Sequence, residues 1–117
     1  MVESGLDLNG ILFTILQCLL NVSQKNFYGM NIFLDVLRGA NSKKIRDARL
    51  FEIPEYGKLH SISRDKLIVI IEWMIDKHFI LKTKGMYPVL HPTDEGIHYD
   101  EYLTVKMVKE LEEILKD

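Results

Sequence analysis

The chain has 117 residues, 47% hydrophobic and 27% charged, which fits one domain with an ordinary core and excludes a disordered chain. A single cysteine, Cys18, excludes an internal disulfide and any multi-thiolate zinc site. The net charge of −2 conceals a segregation: residues 38–84 carry eleven bases against six acids, whereas residues 85–117 carry three bases against eight acids. A local anion-binding face is therefore expected in the middle of the chain, not a generally cationic surface.

Leu8, Leu12, Ile15, Leu16 and Leu19 recur at helical spacing, and Ile11, Phe13 and Leu20 widen the apolar arc. The first helix is therefore expected to be central to the core, capped by Asp7 or Asn9 and ending near Asn21. Its largely apolar stretch, Ile11–Leu20, is too short to cross a bilayer. The charges before it, Glu3 and Asp7, are not those of a basic leader, so a cytoplasmic protein without a membrane partner is expected. Ser23–Gly29 reads as a polar turn. Asn31 is expected to cap a second helix, Ile32–Arg38, that buries Phe33, Leu34 and Leu37 and leaves through a left-handed Gly39.

A third short helix, Ser42–Leu50, follows, with Asn41 or Ser42 as its cap, Ile45 inward, and Ala48 or Arg49 beside it. Across residues 38–49 the bases Arg38, Lys43, Lys44, Arg46 and Arg49 face one acid, Asp47. Lysines at a helix start oppose the macrodipole, and free amides beside two ammonium groups suit an anion, so this corner reads as a phosphate clamp. Phe51–Ile62, with Pro54 and Gly57, reads as a loop or a short strand.

Ser63 caps the expected fourth helix, Arg64–His78, in which Leu67, Ile70, Ile71, Met74 and Ile75 form one stripe and Val69 and Trp73 a second. Asp65, Glu72 and Asp76 share its outward face at 100° per residue, where they would repel phosphates. Phe79–Thr83 and Tyr87–His91 read as strands joined by a tight turn at Lys84-Gly85-Met86. Thr93 caps a last helical segment interrupted near Gly96. A charged helix from Asp100 to Lys116 then carries Leu103, Met107, Leu111 and Ile114 or Leu115, docked on the domain or on a second copy. Three or four helices followed by a hairpin are the parts of a winged helix-turn-helix, mainly α with a small β wing, in a single domain over residues 1–117.

Other chemistry is declined. His60, His78, His91 and His98 have no ligand spacing, so no metal site is expected. Asp94, Glu95, Asp100 and Glu101 lie at helix starts, where negative charge is stabilising. Ser42 and Ser63 are caps without an activating base. No catalytic residue is assigned.

FYGMNIFLDVLRGANSKKIRD, YGKLHSISRDKL and MIDKHFILKTKGMYPVLHPTDEG carry a resemblance. The chain resembles the RQC (RecQ C-terminal) domain of RecQ-family DNA helicases over roughly Leu8–Tyr99, most specifically through Val36-Leu37-Arg38-Gly39, then Asn41 to Ile45, Tyr56-Gly57 and the Tyr87-Pro88-Val89-Leu90 wing. The resemblance implies a module for double-stranded or forked DNA, working beside the helicase core of a parent protein in DNA repair, recombination and replication. Phosphates would meet Arg38, Asn41, Ser42, Lys43, Lys44 and Arg46, and the wing lysines Lys82 and Lys84 would meet the other strand or the duplex end. Met86 or Tyr87 would stack on the terminal pair, although Tyr87 also reads as wing core.

No GxxxxGK[ST] phosphate loop and no four-cysteine zinc module are present in the sequence, so no cofactor is expected here. The ATP, magnesium and zinc of the helicases would belong to the parent, and this chain is expected to be a fragment of one or a free-standing relative. Two alternatives stand beside this reading. One is a transcription regulator dimerising through its C-terminal helix. The other is a protein-interaction winged helix taking an acidic peptide, as RecQ relatives take the acidic tail of single-stranded DNA-binding protein.

Overall fold

The computed structural model describes residues 8–116. Helix α1 (Leu8–Lys25) buries Ile11, Leu12, Ile15, Leu16, Cys18, Leu19 and Val22, and it packs against the second helix, the last helix and the wing. It runs a turn beyond the expected end at Asn21, because Val22 is buried and Ser23 Oγ donates to the Leu20 carbonyl (3.0 Å), so the expected Ser23–Gly29 turn shortens to residues 26–29. Asp7, one of the two proposed caps, lies outside the described residues. Asn9 instead accepts a hydrogen bond from the Tyr99 hydroxyl through Oδ1 (2.8 Å).

Helix α2 (Met30–Arg38) begins two residues earlier than expected, and its N-cap is Gly29, with no side-chain capping bond. Asn31 is therefore not a cap, and its Oδ1 accepts from Arg64. Gly39 does leave α2 in the left-handed region, at φ 75°. Helix α3 (Lys43–Asp47) is capped by Ser42, whose hydroxyl oxygen accepts from the Ile45 amide (3.3 Å). It stops before the expected Leu50. Arg49 turns left-handed (φ 55°) and opens a 3-10 turn over Leu50–Glu52, which fully buries Leu50 beside Ile45. Of the two alternatives for the residue facing inward with Ile45, Ala48 is half-buried and Arg49 exposed.

Residues 53–62 form turns without a strand. They are tied to α1 by Asn21 Nδ2 donating to Glu55 Oε1 (2.8 Å), which supplies a donor to a carboxylate only 8% exposed.

Helix α4 (Arg64–Asp76) is capped by Ser63 and buries Leu67, Ile70, Ile71 and Met74. Its second apolar line is only partly covered: Val69 is 47% exposed, and Trp73 is half-buried. The helix ends two residues before His78, which takes φ 68° while the Phe79 amide donates back to the Met74 carbonyl (2.8 Å) in a Schellman closure.

Strands β1 (Ile80–Lys82) and β2 (Leu90–Pro92) pair antiparallel, with Leu81 opposite His91. The expected strands were longer. The Thr83 hydroxyl captures the Val89 amide (2.9 Å), and Pro88 has no amide to offer, so residues 84–88 form an open loop and not a tight three-residue turn. The Leu90 amide donates instead to the Tyr28 carbonyl (3.0 Å), joining the wing to the α1–α2 connection.

Thr93 caps α5 (Asp94–Ile97), where Gly96 lies so close to the Phe79 carbonyl that a Cβ would sit 2.0 Å from its oxygen. The single helix expected from Asp100 is two: α6 (Tyr99–Tyr102) and α7 (Val105–Leu115). Leu103 is extended and Thr104 starts α7 as its cap, a break that seats Tyr99 on α1 and Leu111 in the core. Helix α7 packs on α4 and α1, where Trp73 Nε1 donates to Glu110 Oε1 (3.0 Å) and Lys77 pairs with the same carboxylate (3.1 Å). The whole is a winged helix, mainly helical with a two-stranded antiparallel hairpin.

Candidate nucleic-acid interface

The corner between α2 and α3 is built by backbone contact. At Gly39 a Cβ would lie 3.0 Å from the Gly57 Cα, and the left-handed φ independently favours glycine. The Val36 carbonyl accepts from the amides of both Gly39 (3.2 Å) and Gly57 (2.8 Å), and the Leu37 carbonyl accepts from Leu59 (2.9 Å). The Tyr56 hydroxyl then donates to the Ala40 carbonyl (2.8 Å), fixing the turn that leads to α3. The Tyr56-Gly57 pair is thus the support of the Arg38-Gly39 bend.

The cations around this corner are not equivalent. Arg38, an exposed residue, donates through Nε to the Ile62 carbonyl (3.0 Å), and its two terminal nitrogens have no partner among the described residues. Lys43 pairs with Asp47 at 2.7 Å, and Arg46 folds back on the Asn41 carbonyl (2.8 Å) and the Asn41 side-chain oxygen (3.3 Å). Arg49 pairs with Glu52, which holds the Glu52 carboxyl below its usual range, chiefly through the hydrogen bond from Arg49. The Lys44 ammonium has no hydrogen-bond or ion-pair partner among the described residues, and the same holds for the ammonium groups of Lys82 and Lys84 on the wing. These existing pairs cost little to exchange, since an exposed i,i+4 pair such as Lys43–Asp47 is worth about 0.3–0.5 kcal/mol.

Lys44 and Lys82 line one cleft of about 420 Å³, together with Met86 and Tyr87 of the wing loop and residues 27–32 before and at the start of α2. Met86 and Tyr87 are 83% and 84% exposed, so Tyr87 is not wing core. Arg38, Asn41, Ser42, Lys43, Arg46 and Lys84 do not line this cleft. The expected site residues therefore divide between a basic bend and a wing cleft that share α3, with Lys84 on the wing loop outside both. Arg64 is a further cation at this face, tied to Asn31 across the α2–α4 junction. Its position at a helix start gave no sign in the sequence of a contact 33 residues away.

Helix α4 presents Asp65, Glu72 and Asp76 to solvent. Among the described residues no group of three or more His, Cys, Asp and Glu side chains is placed to hold a metal ion, and no helix is long and apolar enough to cross a membrane. Cys18 is buried, and burial, then the nearby Glu55 charge, pushes its thiol pKa far above the ordinary value.

Comparison with known proteins adds two findings. The family model described as the RQC domain matches residues 6–116. The ATP-dependent DNA helicase RecQ of Bacillus subtilis (strain 168) is 26% identical over 82 residues, 70% of this chain and 14% of that protein. The chain thus spans a small part of the helicase it matches. RQC domains are DNA-binding, non-catalytic modules of RecQ-family helicases. With the match covering nearly its whole length, the chain belongs to the RQC domain family.

Proposed function

We propose that this chain grips double-stranded DNA at a duplex end or fork by its phosphate backbone, as the duplex-binding module of a RecQ-type ATP-dependent helicase. The observation that carries the reading is the distribution of charge. Lys44, Lys82 and Lys84, whose ammonium groups have no partner among the described residues, and the weakly paired Arg38, Lys43 and Arg46 lie around the bend and wing, while the longest helix after α1 exposes acids. Phosphate contacts of this kind position a protein without reading sequence. The helicase core of the parent and forked DNA are the partners that follow, and Met86 and Tyr87 at the wing loop meet the terminal base pair.

The test is charge reversal, Lys43→Glu with Lys44→Glu, followed by duplex titration over a salt series. Neutralising three or four phosphates gives log affinity a slope against log salt of roughly −3 to −4, with micromolar-order binding. The double variant flattens the slope by about 1–2 and weakens binding. An unchanged slope would remove α3 from the interface.

The regulator alternative needs α7 free to pair with another copy. Its apolar face is already engaged through Leu111 and the Trp73–Glu110–Lys77 contacts, which favours the helicase-module reading.

A further inference from the structure

We infer that the wing cleft is a seat for one unpaired nucleotide at the end of a duplex strand, an assignment that rests on the duplex-binding reading above. The cleft has three properties that together select such an occupant. Its volume, about 420 Å³, falls within the range of small-ligand clefts. Its lining is largely apolar and aromatic, with half-buried Tyr28, Ile32, Pro88 and Val89 beside the exposed Met86 and Tyr87. Its charged lining is Lys44 from α3 and Lys82 from β1, and among the described residues no acid lines it.

A flat apolar body carrying negative charge answers all three demands, and a nucleotide is that chemistry. Its base has a π-face for the aromatic side chains, and its flanking phosphates suit two ammonium groups held on different elements. Asn31 adds a directional group. Its side-chain oxygen is occupied by Arg64, so the amide nitrogen of the same side chain is the end left to donate to an occupant's acceptor. The lysine pair alone would accept any phosphate. The aromatic surface is what calls for a base, and this difference makes the assignment testable.

The experiment compares three DNA hairpins with one common duplex: blunt, carrying a one-nucleotide overhang of 2-aminopurine, and carrying a one-nucleotide abasic overhang. Each overhang is placed on the 3′ end and on the 5′ end in turn. With the intact chain, the base-bearing overhang of one polarity binds at least about fivefold tighter than the blunt end. The abasic overhang gains no more than about twofold, and 2-aminopurine emission falls on binding. Asn31→Trp fills the cleft from α2 and Val89→Trp fills it from the wing. In both variants the overhang-to-blunt affinity ratio drops below about two. Equal binding to all three hairpins, equal gain from the abasic overhang, or a ratio that survives both variants overturns the assignment. Displacement of 2-aminopurine by none of the blunt competitors but by an acidic peptide, with no overhang preference, reassigns the cleft to a protein partner and also overturns it. Failure of the intact chain to bind blunt duplex at all would instead sink the duplex-binding reading.

Discussion

At the scale of the residue, the bend turns on positions where a side chain is forbidden. Gly39 combines a positive φ with a 3.0 Å approach to Gly57, so Gly39→Ala is expected to cost about 1–3 kcal/mol from backbone strain alone, with the contact added. Chemical denaturation measures it, and a change under 0.5 kcal/mol, the ordinary size for a surface substitution, would show that the bend relaxes freely. The sequence announced Gly39 because a glycine after a periodic apolar run is a helix exit. It was silent on Gly57 as the opposing surface, because a contact between two distant backbones leaves no periodicity. The same limit explains Asn31, which has the composition of a cap yet serves Arg64. Ser42, Ser63 and Thr93 were legible because capping is local, and each accepts the amide three residues on.

At the scale of the element, the wing and α7 behave differently from their sequence patterns. Tyr87 sits among strand formers, yet Pro88 and the Thr83–Val89 bond leave it in the open loop, beside Met86. Alanine at Met86 and Tyr87 is expected to weaken binding to short blunt duplexes several-fold more than to long duplexes, as measured by titration at matched salt. Equal losses on both would mean that the loop only supports the fold.

Helix α7 is held by Glu110, whose carboxyl lies below its usual range, first through the hydrogen bond from Trp73 and then through Lys77. A carboxyl that ionises more readily when folded stabilises the folded chain above the unfolded-state value, and this contribution fades as pH falls below about 4.5. Trp73, the sole tryptophan, reports it: its fluorescence is expected to shift on acidification below that pH, and the Glu110→Gln variant to lack the shift. A shift of the same size in the variant would place the titration elsewhere. The sequence marked α7 as amphipathic but not its start, because the Tyr99–Asn9 bond that accompanies the break at Leu103 is a tertiary contact and leaves no periodicity.

At the scale of the molecule, charge sets the proposed duplex-binding side apart from the rest of the surface. The order of helices and hairpin was readable from apolar spacing, as was the acidic outward face of α4. The pairing of Lys43, Arg46 and Arg49 with neighbours was not, since a run of bases looks equally available until its partners are placed. Replacing Asp65, Glu72 and Asp76 with their amides is expected to leave duplex affinity equal or up to about threefold tighter, since unscreened repulsion beyond the Debye length is small. Loss of binding in that variant would put the nucleic acid on α4 and end the case for the bend.

The shared Val36 carbonyl carries one more consequence. Two amides from distant parts of the chain converge on it, and Leu59 is anchored one residue along on Leu37, so the irregular stretch from Ile53 to Leu59 is held in register like the rung of a ladder. A segment pinned in this way is inextensible. Though it has the turn-rich composition of a place where insertions are usually absorbed, adding or deleting one residue there would shear Gly57 past Gly39 and tilt the cationic bend with it. Its length, as much as its composition, is what this protein has to keep.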